Sequence, residues 1–157
     1  MIIKYVLLLA MLLQFTAFAE ELKIKANTFS ADEQKGLSVF SGHVRVKKGS
    51  DELNASEVTI YTDKKNQPTK FVAVGDVSFK IATKDGARYE GEANRVIYIP
   101  KAKEYHFYEN VHLKQLNEKK EIIGDEVTLA LESGKAFAKG VKKEPVIMIF
   151  DIKDEKE

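Results

Sequence analysis

Apolar and polar residues alternate with a period of two along most of this chain. The alternation is plain in Val44-Arg45-Val46, Val58-Thr59-Ile60, Val77-Ser78-Phe79, Val111-His112-Leu113 and Val127-Thr128-Leu129. Successive side chains of a strand point to opposite faces, so each segment has one buried and one wet face. No segment carries the i, i+3, i+4, i+7 apolar stripe of an amphipathic helix with caps. Turn signals punctuate the strands at Gly49-Ser50-Asp51, Asp63 to Pro68, Lys84-Asp85-Gly86, Pro100 to Lys103, Asn117 to Lys120 and Ser133-Gly134. The pattern predicts an all-β protein: a sandwich, a barrel or a solenoid-like sheet.

Two signatures alternate along the chain. The first is a small residue, a short polar residue, any residue, then an apolar one: Ala26-Asn27-Thr28-Phe29, Ala55-Ser56-Glu57-Val58, Ala93-Asn94-Arg95-Val96 and Gly124-Asp125-Glu126-Val127. The second approaches a Gly or its equivalent and leaves through an apolar strand. It appears in Phe40-Ser41-Gly42-His43-Val44, Ala73-Val74-Gly75-Asp76-Val77 and Phe107-Tyr108-Glu109-Asn110-Val111, with a weaker copy at Ala138-Lys139-Gly140-Val141. Copies recur about every 30 to 38 residues, a repeat of paired hairpin arms. Within the first signature the inward parity switches. Leu53 and Ala55 share one parity and Val58 and Ile60 the other; Ile24 and Ala26 against Phe29 and Ala31 do the same. A strand changes its inward parity only at a bend or bulge. Each arm is therefore expected to cross from one wall to a facing wall, with Gly42, Gly75 and Gly140 marking the bend on the return arm.

The first residues read differently. Lys4 precedes a nearly unbroken apolar run from Tyr5 to Phe15, and Ala17-Phe18-Ala19 fits a small-x-small cleavage site. Residues 1–19 are expected to be a cleaved signal peptide, the alternative being a retained membrane anchor. Removal leaves 138 residues with 24 basic and 24 acidic side chains. That balance argues against nucleic acid, which calls for an excess of positive charge. The chain has no Cys, so neither a disulfide framework nor thiol chemistry is available. Residues 20–144 are expected to form one domain, with 145–157 a C-terminal edge strand and charged tail.

The segments Leu22 to Phe29, Phe40 to Val46, Leu53 to Val58, Ala93 to Tyr98 and Asn110 to Val127 together resemble the periplasmic bridge family of lipopolysaccharide transport, the LptA or OstA-like family. Glu109 stands where that pattern has Gly. The resemblance spans nearly the whole chain after the leader. It implies a folded-over antiparallel sheet, a β-jellyroll shaped like a taco, that binds the acyl chains of lipopolysaccharide. It implies a periplasmic location, a membrane-anchored inner-membrane partner, an outer-membrane barrel partner and head-to-tail self-association. No enzyme activity and no cofactor are expected.

The candidate groove comprises Ile24, Phe29, Phe40, Val44, Val46, Leu53, Val58, Ile60, Phe79, Val96, Phe107, Val111, Leu113, Val127 and Leu129. An acyl chain of about a dozen methylenes gains roughly 10 kcal/mol on leaving water, at ~0.8 kcal/mol per CH₂. The same residues would also serve as an ordinary sandwich core, in a structural or adhesive module with no ligand. At the C-terminus, Pro145 to Phe150 is apolar on both parities. An edge strand there is a template for strand addition. Val146, Met148 and Phe150 are expected to pair with Leu22, Ile24 and Ala26 of a partner or of the next copy; an internal edge strand is the alternative.

Other chemistry finds no support in the residues. His43, His106 and His112 lack metal-like spacing with acids. There is no nucleophile elbow, no phosphate-binding Gly-rich loop and no carboxylate pair that stands out as a glycosidase site. Paired lysines at Lys47-Lys48, Lys64-Lys65, Lys101 with Lys103, Lys119-Lys120 and Lys142-Lys143 fall in turns. Turn solvation and contact with lipid phosphates both account for them.

Overall fold

The computed structural model describes residues 20–141 and 144–152. The expected leader, Lys142-Lys143 and the end of the charged tail lie outside the described residues. Ten strands follow one another: β1 (Leu22–Lys25), β2 (Thr28–Asp32), β3 (Leu37–Lys48), β4 (Asp51–Thr62), β5 (Pro68–Ala82), β6 (Arg88–Ile99), β7 (Glu104–Gln115), β8 (Lys120–Ala130), β9 (Ala136–Lys139) and β10 (Ile147–Phe150). They form a single antiparallel sheet in which β3 to β8 are consecutive neighbours. β1 and β2 both pair with β3, and β9 and β10 both pair with β8.

The long strands run unbroken through a bend. Each odd strand from β3 to β7 carries one extra residue against its even neighbour. The register jumps between Ser41 and Val44, between Val74 and Val77, and between Tyr108 and Val111. At these jumps two successive residues sit in the left-handed region: Gly42 and His43, Gly75 and Asp76, Glu109 and Asn110. Opposite each bulge the even strand places its small residue, so Val44 faces Ala55, Val77 faces Ala93 and Val111 faces Gly124. The two sequence signatures are therefore the two sides of one corner. Glu109 adopts the bend that glycine makes elsewhere, with a φ of 64°. The weaker copy at Gly140 departs from the pattern: it lies past β9, beside the Val141–Glu144 bridge, where a side chain would collide with the Glu144 carbonyl.

The corners fold the sheet onto itself. Phe79 is in register with Gly91 and Leu113, which puts it six residues along β7 from Phe107. In a flat sheet that offset is about 20 Å, yet the Phe79 and Phe107 ring centroids lie 4.5 Å apart. Two walls must face each other. One, here wall A, holds the first halves of β3, β5 and β7, the second halves of β4, β6 and β8, and β2 and β9. Wall B holds the remaining halves with β1 and β10. Val44, Val58, Val77, Val96, Phe107, Val111, Leu113, Val127 and Leu129 fill the space between them and are fully buried.

The two outer faces differ. On wall B the in-register row Lys47, Glu52, Lys80, Glu90, Lys114, Glu121 alternates in sign across six strands. Cross-strand pairs of this kind contribute roughly 0.2–1 kcal/mol each. Lys47 reaches Glu52 at 2.8 Å and holds its carboxyl below the usual range. On wall A the equivalent row is Val39, Thr59, Val72, Ile97, His106, Thr128 and Phe137, mostly β-branched residues that suit a pleated surface.

Candidate functional site

All fifteen residues of the expected groove fall on inward-facing rows. Ile24, Val46, Leu53, Phe79 and Leu113 belong to one row of wall B. Phe29, Phe40, Val58, Val96, Phe107 and Val127 belong to one row of wall A. The rows do not stay equally far apart, and the set divides. Val44, Ile60, Phe79, Phe107, Val111, Leu113, Val127 and Leu129 belong to the buried core between the walls. Towards β1 the walls part and leave an apolar cavity of about 330 Å³. Only Val46, Leu53, Val58 and Val96 of the fifteen line it. Phe29 projects beyond it at the N-terminal edge, 61% exposed, its ring 4.8 Å from that of Phe40.

The rest of the lining was not foreseen. Phe71, Ala73, Tyr98 and Tyr105 come from wall A and Leu22 from β1. Phe71 sits in an apolar stretch, Phe71-Val72-Ala73-Val74, where neither parity is polar and the period cannot choose a face. Tyr98 and Tyr105 share parity with Val96 and Phe107, so that signal was present. The rings form a line through the molecule. Phe71 to Tyr98 is 6.0 Å, Tyr98 to Tyr105 4.7 Å and Tyr105 to Phe107 5.8 Å between centroids. This aromatic line leads from the open cavity into the closed half.

Lys48, Asp51, Glu52 and Gln67 also border the cavity. Asp51 Oδ1 accepts the Ala82 N–H at 3.0 Å, and partial burial raises its carboxyl above the ordinary range. Burial also raises the Tyr98 and Tyr105 hydroxyls, with Asp51 adding to both shifts, so both phenols stay neutral. An apolar interior with neutral hydroxyls and a mixed-charge border suits an aliphatic chain attached to a polar body. A second hollow, on the outside of wall B, is lined by Glu52, Asn54, Lys80, Glu90, Glu92, His112 and Lys114. Its charges do not suit such a ligand. Among the described residues no group of three or more His, Cys, Asp or Glu could hold a metal ion.

Among the described residues both sheet edges remain open. At one end β1 and β2 pair only with β3. At the other, β10 pairs with β8 through Ile147–Ile123 to Phe150–Lys120, and all four of its residues are exposed. Met148 lies opposite Ile122 and so continues the inward row of wall B, as Ile24 does at the other end.

Residues 23–135 match the family described as LptA/(LptD N-terminal domain) LPS transport protein. The chain belongs to this family. It is a family of transport proteins, not of enzymes. The fold is also that of a solved structure, LptH from Pseudomonas aeruginosa, described as the LptA homologous periplasmic component of the conserved lipopolysaccharide transport device. The two share 15% identity, with 85% of this chain and 96% of that one covered at a TM-score of 0.74. No curated protein sequence matches this chain significantly. The match places an LptA-type folded sheet, open at both edges, on the transport of lipopolysaccharide.

Proposed function

We propose that this protein is a periplasmic carrier that shelters the acyl chains of lipopolysaccharide while its sugars and phosphates stay in water. The observation that carries this reading is the apolar cavity between the walls, beside an open sheet edge at which a groove can continue into a neighbour. A cavity of about 330 Å³ is at the lower end of small-ligand sites, which run from about 300 to 1,000 Å³. It takes in part of a lipid unless the walls separate further. The flanking edges supply the route onward. Strand β10 would add to β1 of the next molecule on wall B, and β9 to β2 on wall A. Such head-to-tail pairing does not close on itself and builds a filament. An anchored inner-membrane component and an outer-membrane barrel component would take up the two terminal edges in the same way.

Site-specific photo-crosslinking tests this reading. A photoreactive residue in place of Phe71 or Tyr98 should capture lipopolysaccharide, and one in place of outward-facing Arg45 should not. Equal labelling at all three positions, or none at Phe71 and Tyr98 in folded protein, would point to a β-module without a lipid ligand.

A further inference from the structure

The cleft is open at one end and filled by side chains at the other, and a small turn covers the mouth of the filled half. In the closed half the walls meet through Phe79 and Phe107, with Val111, Leu113, Val127 and Leu129 no more than 1% exposed. Across the mouth of this half, the turn between β5 and β6 reaches the end of wall A. The Lys84 N–H donates to the Leu131 carbonyl at 2.9 Å. Among the described residues this is the one hydrogen bond that ties a turn of wall B to wall A across the mouth.

The turn is a unit in itself. Thr83 N–H donates to the Ala87 carbonyl at 2.9 Å and Gly86 N–H to the Thr83 carbonyl at 3.1 Å. The buried Thr83 hydroxyl is satisfied by Asp85 and by the Ala87 carbonyl. Gly86 supplies the left-handed residue, φ 88°, that the turn requires. On the other side, Leu131 is fixed to wall A through its own N–H, which donates to the Lys103 carbonyl at 2.9 Å. Lifting the turn therefore breaks the Lys84–Leu131 bond and the longer bond, 3.4 Å, that Asn117 Nδ2 donates to the Gly86 carbonyl, and it draws half-buried Ala87 off the core that Leu131 also covers. The bonds internal to the turn, among Thr83, Gly86 and Ala87, are kept.

The turn also lies on the route. The apolar cavity runs into a polar hollow through the shared residues Lys48 and Asp51, and that hollow is lined by Thr83, Lys84, Lys103 and Leu131.

We propose that the β5–β6 turn is a gate: lipid seated in the open half reaches the C-terminal half only when the Lys84–Leu131 bond breaks and the turn lifts. This rests on the carrier reading above. The chain has no native Cys, so Lys84→Cys with Leu131→Cys supplies the only thiols and can lock the gate by oxidation. A photoreactive residue is placed at Phe71 in the open half or at the half-buried inward residue Ile122 in the closed half, and lipopolysaccharide is the probe. Reduced protein should label at both positions. Oxidised protein should keep labelling at Phe71 and fall to background at Ile122. Unchanged labelling at Ile122 after oxidation overturns the gate and leaves the carrier reading standing. No labelling at either position in reduced protein overturns both. The unsubstituted protein gives a second readout. The Lys84 amide should exchange with solvent roughly tenfold faster once lipopolysaccharide is bound. An unchanged rate in lipid-loaded protein refutes the gate even where the double variant fails to fold.

Discussion

Replacing Gly75 by Ala tests whether the corners are set by backbone conformation. Gly75 has a φ of 85°, and a Cβ there would lie 2.6 Å from Ser56 Oγ and 2.7 Å from Ser56 Cβ. Ser56 Oγ also donates to the Gly75 carbonyl at 3.2 Å. An L-residue in the left-handed region costs roughly 1–2 kcal/mol. Pushing the Ser56 side chain aside loses an exposed hydrogen bond, worth about 0.5–1 kcal/mol. The stiffer unfolded chain returns about 0.4–1 kcal/mol. The balance is a loss of roughly 1–2 kcal/mol, or about 3–8 °C in Tm for a domain of this size. Glu109, at φ 64°, supplies the reverse experiment. Glu109→Gly relieves about 1–2 kcal/mol of left-handed strain and gives back about 0.4–1 to the unfolded chain, a net gain of roughly 0.5–1 kcal/mol. Glu109→Ala should change stability little, because both residues carry a Cβ. Urea unfolding of the three variants measures all of this. If Gly75→Ala matches the parent, or if Glu109→Gly is the least stable of the set, the corner is not held by glycine's freedom and the account of the bend is wrong.

Three more outcomes follow from burial, charge and edges. Phe107→Ala empties the point where the walls meet, at a residue 0% exposed, and should cost about 3–5 kcal/mol in denaturant melts. Phe29→Ala, at a mostly exposed position, should be nearly silent by the same measurement. Asp51 binds its proton more tightly in the folded protein than its ordinary value of 3.8 allows, so its contribution to stability is greatest in acid and is lost as pH rises through the raised value. Asp51→Asn keeps an acceptor for Ala82. The variant should equal the parent at about pH 3, below the ordinary carboxylate range, and exceed it at neutral pH; a constant difference across the range would refute the assignment. Deleting residues 145–157 removes β10 and should abolish concentration-dependent self-association in light scattering. An intact protein that stays monomeric at every concentration would count against strand addition at this edge.

The corners were legible because their cause is local. A parity switch at Ala55-Ser56-Glu57-Val58 and a glycine at Gly42 or Gly75 each demand a bend within a few residues. The turns were legible for the same reason: Asp63 Oδ1 accepts from Lys65 and Gln67 N–H at 2.8 and 3.0 Å, an arrangement that needs only its own loop. Two local readings needed the fold to settle them. Glu109 makes the bend without glycine, because the residues around it enforce the conformation. Gly140 has the spacing of a corner but not the neighbours, since the strand it would turn has already ended at Lys139.

The width of the cleft was not legible, and the reason is physical. A period of two assigns each residue to a face, and it put Val46 and Val111 on the same inner side. Whether that side is groove or core depends on which residues oppose it across the gap, and those are distant in sequence. Phe79 meets Phe107, which lies beyond β6 and the turn after it, and two aromatic rings fill the space. At the other end Val46 and Leu53 look towards Ala73, whose small side chain leaves room beside Phe71 and Tyr98. One repeat thus produces a filled interior and an open one within a single sheet, the difference resting on a few side-chain volumes. Lipid entering the open half meets a wall of its own protein's side chains. A carrier built this way has to open as it loads, which makes the ties across the mouth as much a part of the transport path as the lining of the cleft.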